Sequence, residues 1–313
     1  MYRQQGLKPY LERICPGRVK QGEPLASYTT LRIGGKADWF IQPQDNSELN
    51  QLLDLAVSRK IPWFVLGQGS NLLVSDRGVR GLVIHLSSPR QGIKAKSLNN
   101  SQVLLEVEAG VPLSRLVRWG IKNYWKGLEF LAGIPGSVGG AWAMNAGSHG
   151  KEIKELTTYL KIVSPGGRVV RKGEKQLFFG YRNLKLEPGE IIISGGLKVS
   201  LGDAEAVQQE IRRIRSQRRA TQPLGQSSCG SVFKNPPGAF AGELIEKAGL
   251  KGVERGKAQI SSRHANFIVN QGGASADDVL SLMNLTRTRV RRQFGILLDP
   301  EVRLWGCSLK EPA

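Results

Sequence analysis

The sequence predicts an α+β chain of two or three domains. Its 313 residues exceed what a single hydrophobic core usually organises. Short apolar runs with strand character recur along it, separated by turns such as Pro165-Gly166-Gly167 and Pro188-Gly189. Between those runs stand segments whose apolar residues repeat at helical spacing.

Residues 1–27 read as a variable lead-in, whose opening Met1 to Pro9 lacks the apolar centre of a signal peptide. Residues 37–42 carry a short strand pattern, and Pro43 breaks it. A helix over 47–59 follows, with Leu49, Leu52, Leu53 and Ala56 on one face. Trp63-Phe64-Val65-Leu66 reads as a buried strand that delivers the chain into Gly67-Gln68-Gly69-Ser70-Asn71. Leu72-Leu73-Val74 and Leu82-Val83-Ile84 continue the strand rhythm and close a first α/β subdomain over 28–84. A second subdomain over 85–201 alternates at Leu105, Val107 and Ala109, then continues as a helix over 113–124 and strands at 159–163, 168–171 and 191–199. Within it the uncharged run 131–150 holds six glycines and a proline, so it reads as a loop-rich cradle. A bilayer-spanning helix needs about 20 predominantly apolar residues. A third unit over 202–307 opens with a helix over 204–220. It continues through Ser231-Val232-Phe233, a helix over 241–248, a strand over 266–270 and a helix over 277–294. Ser275 suits the N-cap of that last helix and Gly295 its stop.

Composition narrows the class. A hydrophobic fraction of 40% supports packed cores. Three cysteines, Cys15, Cys229 and Cys307, form no CxxC spacing, so a reducing cytoplasm is expected, with no disulfide framework or zinc site. Lys plus Arg reach 45 against 26 Asp plus Glu, a net charge of +19. Two dense runs contribute, Arg212-Arg213-Ile214-Arg215-Ser216-Gln217-Arg218-Arg219 and Arg287-Thr288-Arg289-Val290-Arg291-Arg292. Three readings stand open: a solvated basic face, a field that gathers anionic ligands, and a nucleic-acid surface. No nucleic-acid motif or aromatic interleaving accompanies the arginines.

The chemistry concentrates in a few short stretches. Gly67 to Asn71 and Gly133-Ile134-Pro135-Gly136-Ser137-Val138-Gly139-Gly140 are loops whose backbone N–H groups can wrap a pyrophosphate. Neither has the GxGxxG spacing of a Rossmann fold. Phe179-Gly180-Tyr181-Arg182 offers a permanent cation whose fork matches a carboxylate. Cys229-Gly230-Ser231-Val232-Phe233-Lys234-Asn235 offers a hydroxyl, and Asp299-Pro300-Glu301-Val302-Arg303 a carboxylate. No histidine stands near Ser231 in a GxSxG setting, which counts against an acyl-transfer nucleophile. His85 and His149 have no partner identifiable from sequence. The bare residues thus point to a phosphate-rich cofactor, an acid and a carboxylate clamp.

Over about residues 28–306 the chain resembles the UDP-N-acetylenolpyruvoylglucosamine reductase family. The anchors are Tyr28-Thr29-Thr30-Leu31-Arg32-Ile33-Gly34-Gly35, Gly69-Ser70-Asn71-Leu72-Leu73-Val74, the 133–140 loop with Met144-Asn145-Ala146-Gly147, and the three motifs around Arg182, Ser231 and Glu301. The resemblance implies a two-subdomain FAD-binding module of the vanillyl-alcohol-oxidase type, plus a C-terminal α+β substrate domain whose last strand can return to the flavin module. It implies non-covalent FAD held by Gly67, Gly69, Ser70, Asn71, Gly133, Ile134, Pro135, Gly136, Ser137, Gly139 and Gly140, and NADPH as co-substrate. It assigns Ser231 as general acid, with Arg182 and Glu301 polarising the substrate carboxylate; Glu301 is expected to be protonated or paired with a cation. Tyr181, Lys234, Asn235, His264 and Asn266 are the expected substrate contacts. The implied protein is a cytoplasmic monomer in peptidoglycan precursor synthesis, without nucleic-acid or membrane partners. Leu184 stands where relatives often carry Ser. Some relatives carry an insertion whose tyrosine closes over the diphosphate. Here 48 residues separate Arg182 from Ser231, as in the shorter subtype. A flavin oxidase of the same fold, a basic nucleic-acid binder and a turnover-inactive sugar-nucleotide binder remain the alternatives.

Overall fold

The computed structural model describes residues 6–87 and 92–311. The chain divides into two compact units. The first comprises 1–21, 39–68 and 81–216; the second comprises 22–38, 69–80 and 217–313.

The first unit contains helices α1 (Lys8–Ile14), α2 (Asn46–Ser58), α3 (Leu113–Lys122) and α4 (Val138–Ala143), and most of α5 (Ala204–Thr221). The strand Trp63–Leu66 runs parallel to Val79–His85, from Trp63 opposite Leu82 to Leu66 opposite His85. One core gathers Trp39, Ile41, Leu82 and Ile84 with the inward face of α2 and with Leu7, Leu11 and Cys15 around α1. The stretch read as a lead-in therefore carries a helix that buries Leu11, with Leu7 and Cys15 buried at its two ends. A second core lies beside a larger antiparallel sheet. Its strand order is Val169–Gly173, Thr157–Val163, Ile191–Leu201, Gln102–Glu108 and Ile93–Ser97. Leu105, Val107, Leu160, Ile162, Leu197 and Val199 supply its buried face, and α3, α4 and α5 pack in with Leu116, Trp142 and Ile211.

Helix α4 departs from the loop-rich cradle read over 131–150. Glycine inside a helix costs about 1 kcal/mol relative to alanine, and α4 contains Gly139 and Gly140. Local preference therefore argues against it. Burial of Val138, Ala141 and Trp142, with Ser137 accepting a cap bond from Gly140 N, overrides that preference. Helix α3 ends at Lys122, two residues before the expected stop, as Tyr124 turns to φ 56°.

The second unit contains α6 (Ala241–Lys247) and α7 (Ala276–Phe294). A sheet in the order Ser227–Ser231, Phe267–Asn270, Ala258–Ile260 and Glu254–Arg255 lies over a core of Val232, Phe233, Leu244, Ile245, Ile268, Val279, Met283 and Val290. The caps of α7 fall where expected. Ser275 forms a capping box with Asp278, and Gly295 closes the helix in the left-handed region at φ 70°. Arg303–Trp305 adds in parallel to Leu72–Val74.

Candidate active site

The first glycine loop is fixed in the first unit by a contact the sequence concealed. His85 ends its strand opposite Leu66. Its Nδ1 pairs with Gln42 Nε2 at 3.0 Å, and the ring also bonds the Gly67 backbone. Burial pushes the pKa of His85 down, while the Gly67 bond opposes that shift weakly. A neutral imidazole thus braces the entry to the loop. Nothing in the sequence but the position of His85 at a strand end marks this role.

The two loops also constrain each other's side-chain size. A Cβ at Gly67 would lie 2.3 Å from Ser137 Oγ, and one at Gly139 2.6 Å from Ala109 Cβ. In the second unit, Gly69 sits at φ 57°, where a Cβ would lie 2.1 Å from Tyr28 O. Only glycine fits these places. In the 133–140 loop, Ile134 N donates to Leu131 O, Val138 N to Val111 O, Gly139 N to Ala109 O and Gly140 N to Ser137 Oγ. The N–H groups of Gly136 and Ser137, both buried, donate to no acceptor among the described residues. Buried backbone donors require an acceptor. A cradle without side chains and with unspent donors therefore fits a pyrophosphate, the group that FAD would bring. Exposed Pro135 and half-buried Ile134 form the turn leading to those donors.

Arg182 occupies the tip of a hairpin in the same unit. The strands Phe179–Gly180 and Asn183–Leu184 provide two residue pairs, leaving Tyr181 and Arg182 as the turn. Arg182 has φ 53°, a left-handed conformation that costs an ordinary residue about 1–2 kcal/mol. Such a short hairpin needs support from outside. Asn145 supplies it: fully buried and itself at φ 42°, it donates from Nδ2 to Gly180 O and to Glu152 Oε2, each at 2.9 Å. Its Oδ1 accepts from Lys154 N at 3.3 Å. Two residues on, Gly147 O accepts from Arg182 Nη2 at 3.2 Å. One loop thus anchors both the backbone and the guanidinium of the hairpin. The guanidinium lies 5.0 Å from the centre of the exposed Tyr181 ring.

Ser231 is presented by a β-bulge in the second unit. Ser228 pairs with Val269, but Ser231 pairs with Phe267, so this strand carries one extra residue. Gly230 absorbs it at φ 77°. Cys229 is buried at 2% exposure, with its thiol pKa pushed up to about 12, chiefly by burial. In an unbroken strand Ser231 would share the buried face of Cys229. The bulge reverses that alternation and leaves Ser231 half-buried. Its hydroxyl bonds no group among the described residues.

The carboxylate segment lies across from Ser231. Glu301 N donates to Val232 O at 2.8 Å, Lys234 N to Asp299 O at 2.9 Å, and Phe233 pairs with Pro300. Asn71 Nδ2 donates to Glu301 O at 3.0 Å, and Arg303 N to Asn71 O at 3.1 Å. Asn71 therefore ties the first glycine loop to the acidic segment. Asn266 spends its carboxamide on Phe233, with Nδ2 donating to the carbonyl at 2.8 Å and Oδ1 accepting from the N–H at 3.0 Å. Asn235 Oδ1 accepts from Ala241 N at 3.0 Å and so caps α6. His264 Nδ1 accepts from Asn266 N at 3.2 Å, and its ring lies tilted against Phe267, the ring centres 4.8 Å apart. Burial, then Lys251, pushes its pKa down. Lys234 is half-buried beside Phe233.

Sequence reading missed a cleft of about 350 Å³ in the first unit. It is lined by Pro43, Leu86, Ala109 and Ile193, with the Lys161–Glu106 ion pair at its side. That hydrogen-bonded pairing holds the Glu106 carboxyl below its ordinary range and lifts Lys161 above its own. Ala109 lines this cleft and also backs Gly139, so cleft and cradle share a wall.

Comparison with known proteins decides the family. Residues 37–173 match the FAD binding domain, and 222–305 match the C-terminal domain of UDP-N-acetylenolpyruvoylglucosamine reductase. UDP-N-acetylenolpyruvoylglucosamine reductase 2 of Symbiobacterium thermophilum is 43% identical over 306 residues, covering 96% of this chain and 98% of its own. The reductase of Methylococcus capsulatus is 44% identical over 290 residues, covering 93% and 94%. The crystal structure of the reductase from Thermus caldophilus superposes with a TM-score of 0.79 at 37% identity, covering 92% of this chain and 99% of that one. This chain belongs to the UDP-N-acetylenolpyruvoylglucosamine reductase family. It is an FAD-dependent oxidoreductase with an FAD-binding module and a C-terminal α+β domain. Among the described residues no helix is long and apolar enough to cross a membrane.

Proposed function

We propose that this chain reduces the enolpyruvyl group of UDP-N-acetylglucosamine enolpyruvate to UDP-N-acetylmuramate in the cytoplasm, with electrons from NADPH, as a step toward peptidoglycan. The observation that carries the reading is the bulge at Gly230, which turns the Ser231 hydroxyl out of the core opposite the Glu301 segment. Family membership, and the names of the relatives it matches, support it.

In this reading FAD, when bound, would supply the hydride-transfer chemistry between NADPH and C3 of the enolpyruvyl group. Gly136 and Ser137 offer N–H donors to the FAD pyrophosphate, and Gly67 and Gly139 keep side chains out of its way. The cleft beside Ala109 would take an adenosine end, with apolar walls for the base and an ion pair for the ribose. Arg182 binds the substrate carboxylate and stabilises the enolate charge that spreads onto it. Glu301 in its protonated form would donate a hydrogen bond to that carboxylate. Ser231 O–H then gives its proton to C2. A serine hydroxyl is a weak acid, yet an enolate carbon is basic enough to take its proton at hydrogen-bond distance. Asn266 and Asn235 act through the backbone they brace, while Lys234, His264 and Tyr181 remain available to the sugar nucleotide.

The test is an anaerobic spectral titration of the flavin-loaded protein. NADPH should bleach the flavin band and the enolpyruvyl sugar nucleotide should restore it. Bleaching without recovery on that substrate would reject the substrate assignment. Bleaching by a simple sugar in place of NADPH, with rapid recovery on oxygen alone, would favour the oxidase alternative.

A further inference from the structure

The bulge that presents Ser231 is fastened at both ends. Ser227–Ser231 is the outermost strand of its sheet, with Phe267–Asn270 as its neighbour, and regular pairing lapses between Ser228 and Ser231. A short edge strand with a bulge leaves carbonyls unpaired and bends easily. Downstream of the bulge, Val232 N donates to Asn266 O at 2.8 Å, while Val232 O accepts from Glu301 N at 2.8 Å and from Val302 N at 3.3 Å. Upstream, Ser228 O accepts from Thr30 Oγ1 at 2.7 Å. Cys229, Gly230 and Ser231 lie between the two fastenings.

Thr30 belongs to a segment that is already rigid. Its neighbours Leu31 and Ile33 are buried, at 0% and 2% exposure, in the core that also takes Cys229, Val232 and Phe233. Asn270 Nδ2 donates to Leu31 O at 3.0 Å, so the segment is held independently of the Thr30 hydroxyl. The adjacent threonines serve different ends. The Thr29 hydroxyl donates to Ile33 O at 3.0 Å and closes its own turn. The Thr30 hydroxyl reaches a strand 198 residues away. Its single proton goes to Ser228 O, the nearer acceptor, because Gly69 O stands at 3.5 Å. Gly69 O takes the Thr30 backbone N–H instead, at 3.1 Å. Gly69 thus supports the Thr30 clamp, as Asn71 Nδ2 supports the Glu301 clamp at 3.0 Å. Both clamps stand on the same glycine loop.

We infer that Thr30 is a positioning residue for Ser231: its hydroxyl pins the edge strand at the start of the bulge and so keeps the Ser231 hydroxyl aimed out of the core. The inference rests on the proposed function for the proton-donor role of Ser231 and for nothing else. Thr30 acts through the backbone rather than on the substrate. With Ser228 O released, the strand relaxes about Gly230 and the Ser231 hydroxyl loses its fixed place.

Thr30→Val tests this, because valine keeps the shape and removes the hydroxyl. Reoxidation of the reduced flavin by UDP-N-acetylglucosamine enolpyruvate, followed anaerobically by stopped flow, should slow. The expected range runs from about fivefold, the net worth of one hydrogen bond, to about 10²-fold, the effect of a misplacement of about 1 Å. Flavin reduction by NADPH should stay within about twofold. Thr30→Ser keeps the donor and should bring reoxidation back to within about twofold of native. A second readout needs neither flavin nor substrate. In the ligand-free protein the Val232 amide, bonded to Asn266 O, should exchange its hydrogen about fivefold faster in Thr30→Val, while amides within α7 keep their native rates. If Thr30→Val does not fold, Thr30→Cys, a weaker donor of similar size, replaces it with the same split expected. Unchanged reoxidation, equal slowing of both half-reactions, or faster exchange throughout α7 as well would overturn the inference and make Thr30 a general stabilising contact. If the reduced native protein is not reoxidised by the substrate, the reductase reading fails instead, and the Val232 exchange rate alone decides whether Thr30 pins the bulge.

Discussion

Arg182 and Ser231 both occupy backbone positions that a regular strand does not offer, and they are held by different means. Ser231 depends on its neighbour: Gly230 takes the positive φ, the bulge follows, and the sheet supplies the rest. Arg182 takes the positive φ itself, on a hairpin with two residue pairs, and relies on Asn145 and Gly147 more than 30 residues earlier. A local device is cheap and leaves a mark in sequence. A remote tether holds both the hairpin backbone and the guanidinium, at the cost of a buried polar residue that must itself be satisfied. Asn145 meets that condition through Gly180 O, Glu152 and Lys154 N.

The comparison is broken most forcefully at the hydroxyl. Ser231→Ala should slow flavin reoxidation by the enolpyruvyl substrate by about 10²–10⁴-fold, the usual range for a positioned acid. Reduction by NADPH should be unchanged in stopped-flow traces, and a slowing of both phases alike would remove the assignment of Ser231 as proton donor. Asn145→Ala comes next. It removes three hydrogen bonds to exposed or half-buried partners, so denaturant titration should show a loss of about 1–3 kcal/mol. Reoxidation should weaken through a higher KM for substrate, because Arg182 loses its support; a stability loss with unaltered KM would make Asn145 a core residue only.

Gly230→Ala sharpens the other side. Open space surrounds its added Cβ, so the cost is conformational, about 1–2 kcal/mol for a left-handed alanine. Activity should fall with it as the bulge relaxes and Ser231 turns inward. Wild-type turnover at full stability would show that the bulge is not what aims Ser231. The smallest effect expected is on acid stability. Burial holds His85 and His264 below the ordinary histidine value of 6.5. The unfolded chain therefore takes up protons first as pH falls. The stability they allow is intact above about pH 6.5 and declines below it. Melting temperature should drop by about a few degrees between pH 7.5 and 5.5, and His85→Gln should flatten part of that slope.

Much of the fold was legible because period and punctuation agreed. The capped helix α7, the apolar face of α2 and the strand leading into Gly67 follow from spacing and from Ser275, Gly295 and the loop glycines. Helix α4 was not legible: its glycines speak against a helix, and only burial of Trp142 and its neighbours speaks for one. Helix α1 escaped for a related reason, since its apolar positions are too few to show a period over seven residues.

The candidate site divides along the same line. Residue chemistry by itself determined that Arg182, Ser231 and Glu301 offer a fixed cation, a hydroxyl and a carboxylate. Those are properties of single side chains, which travel with the sequence. The tertiary structure alone decided that His85 braces Gly67, that Asn145 carries the Arg182 hairpin, and that Asn266 serves the Phe233 backbone. It also decided that Arg218, in a run of exposed arginines, is half-buried, its Nε meeting no hydrogen-bond partner among the described residues. These are facts about which groups meet after distant segments pack, and desolvation, which sets their energies, exists only once they have done so.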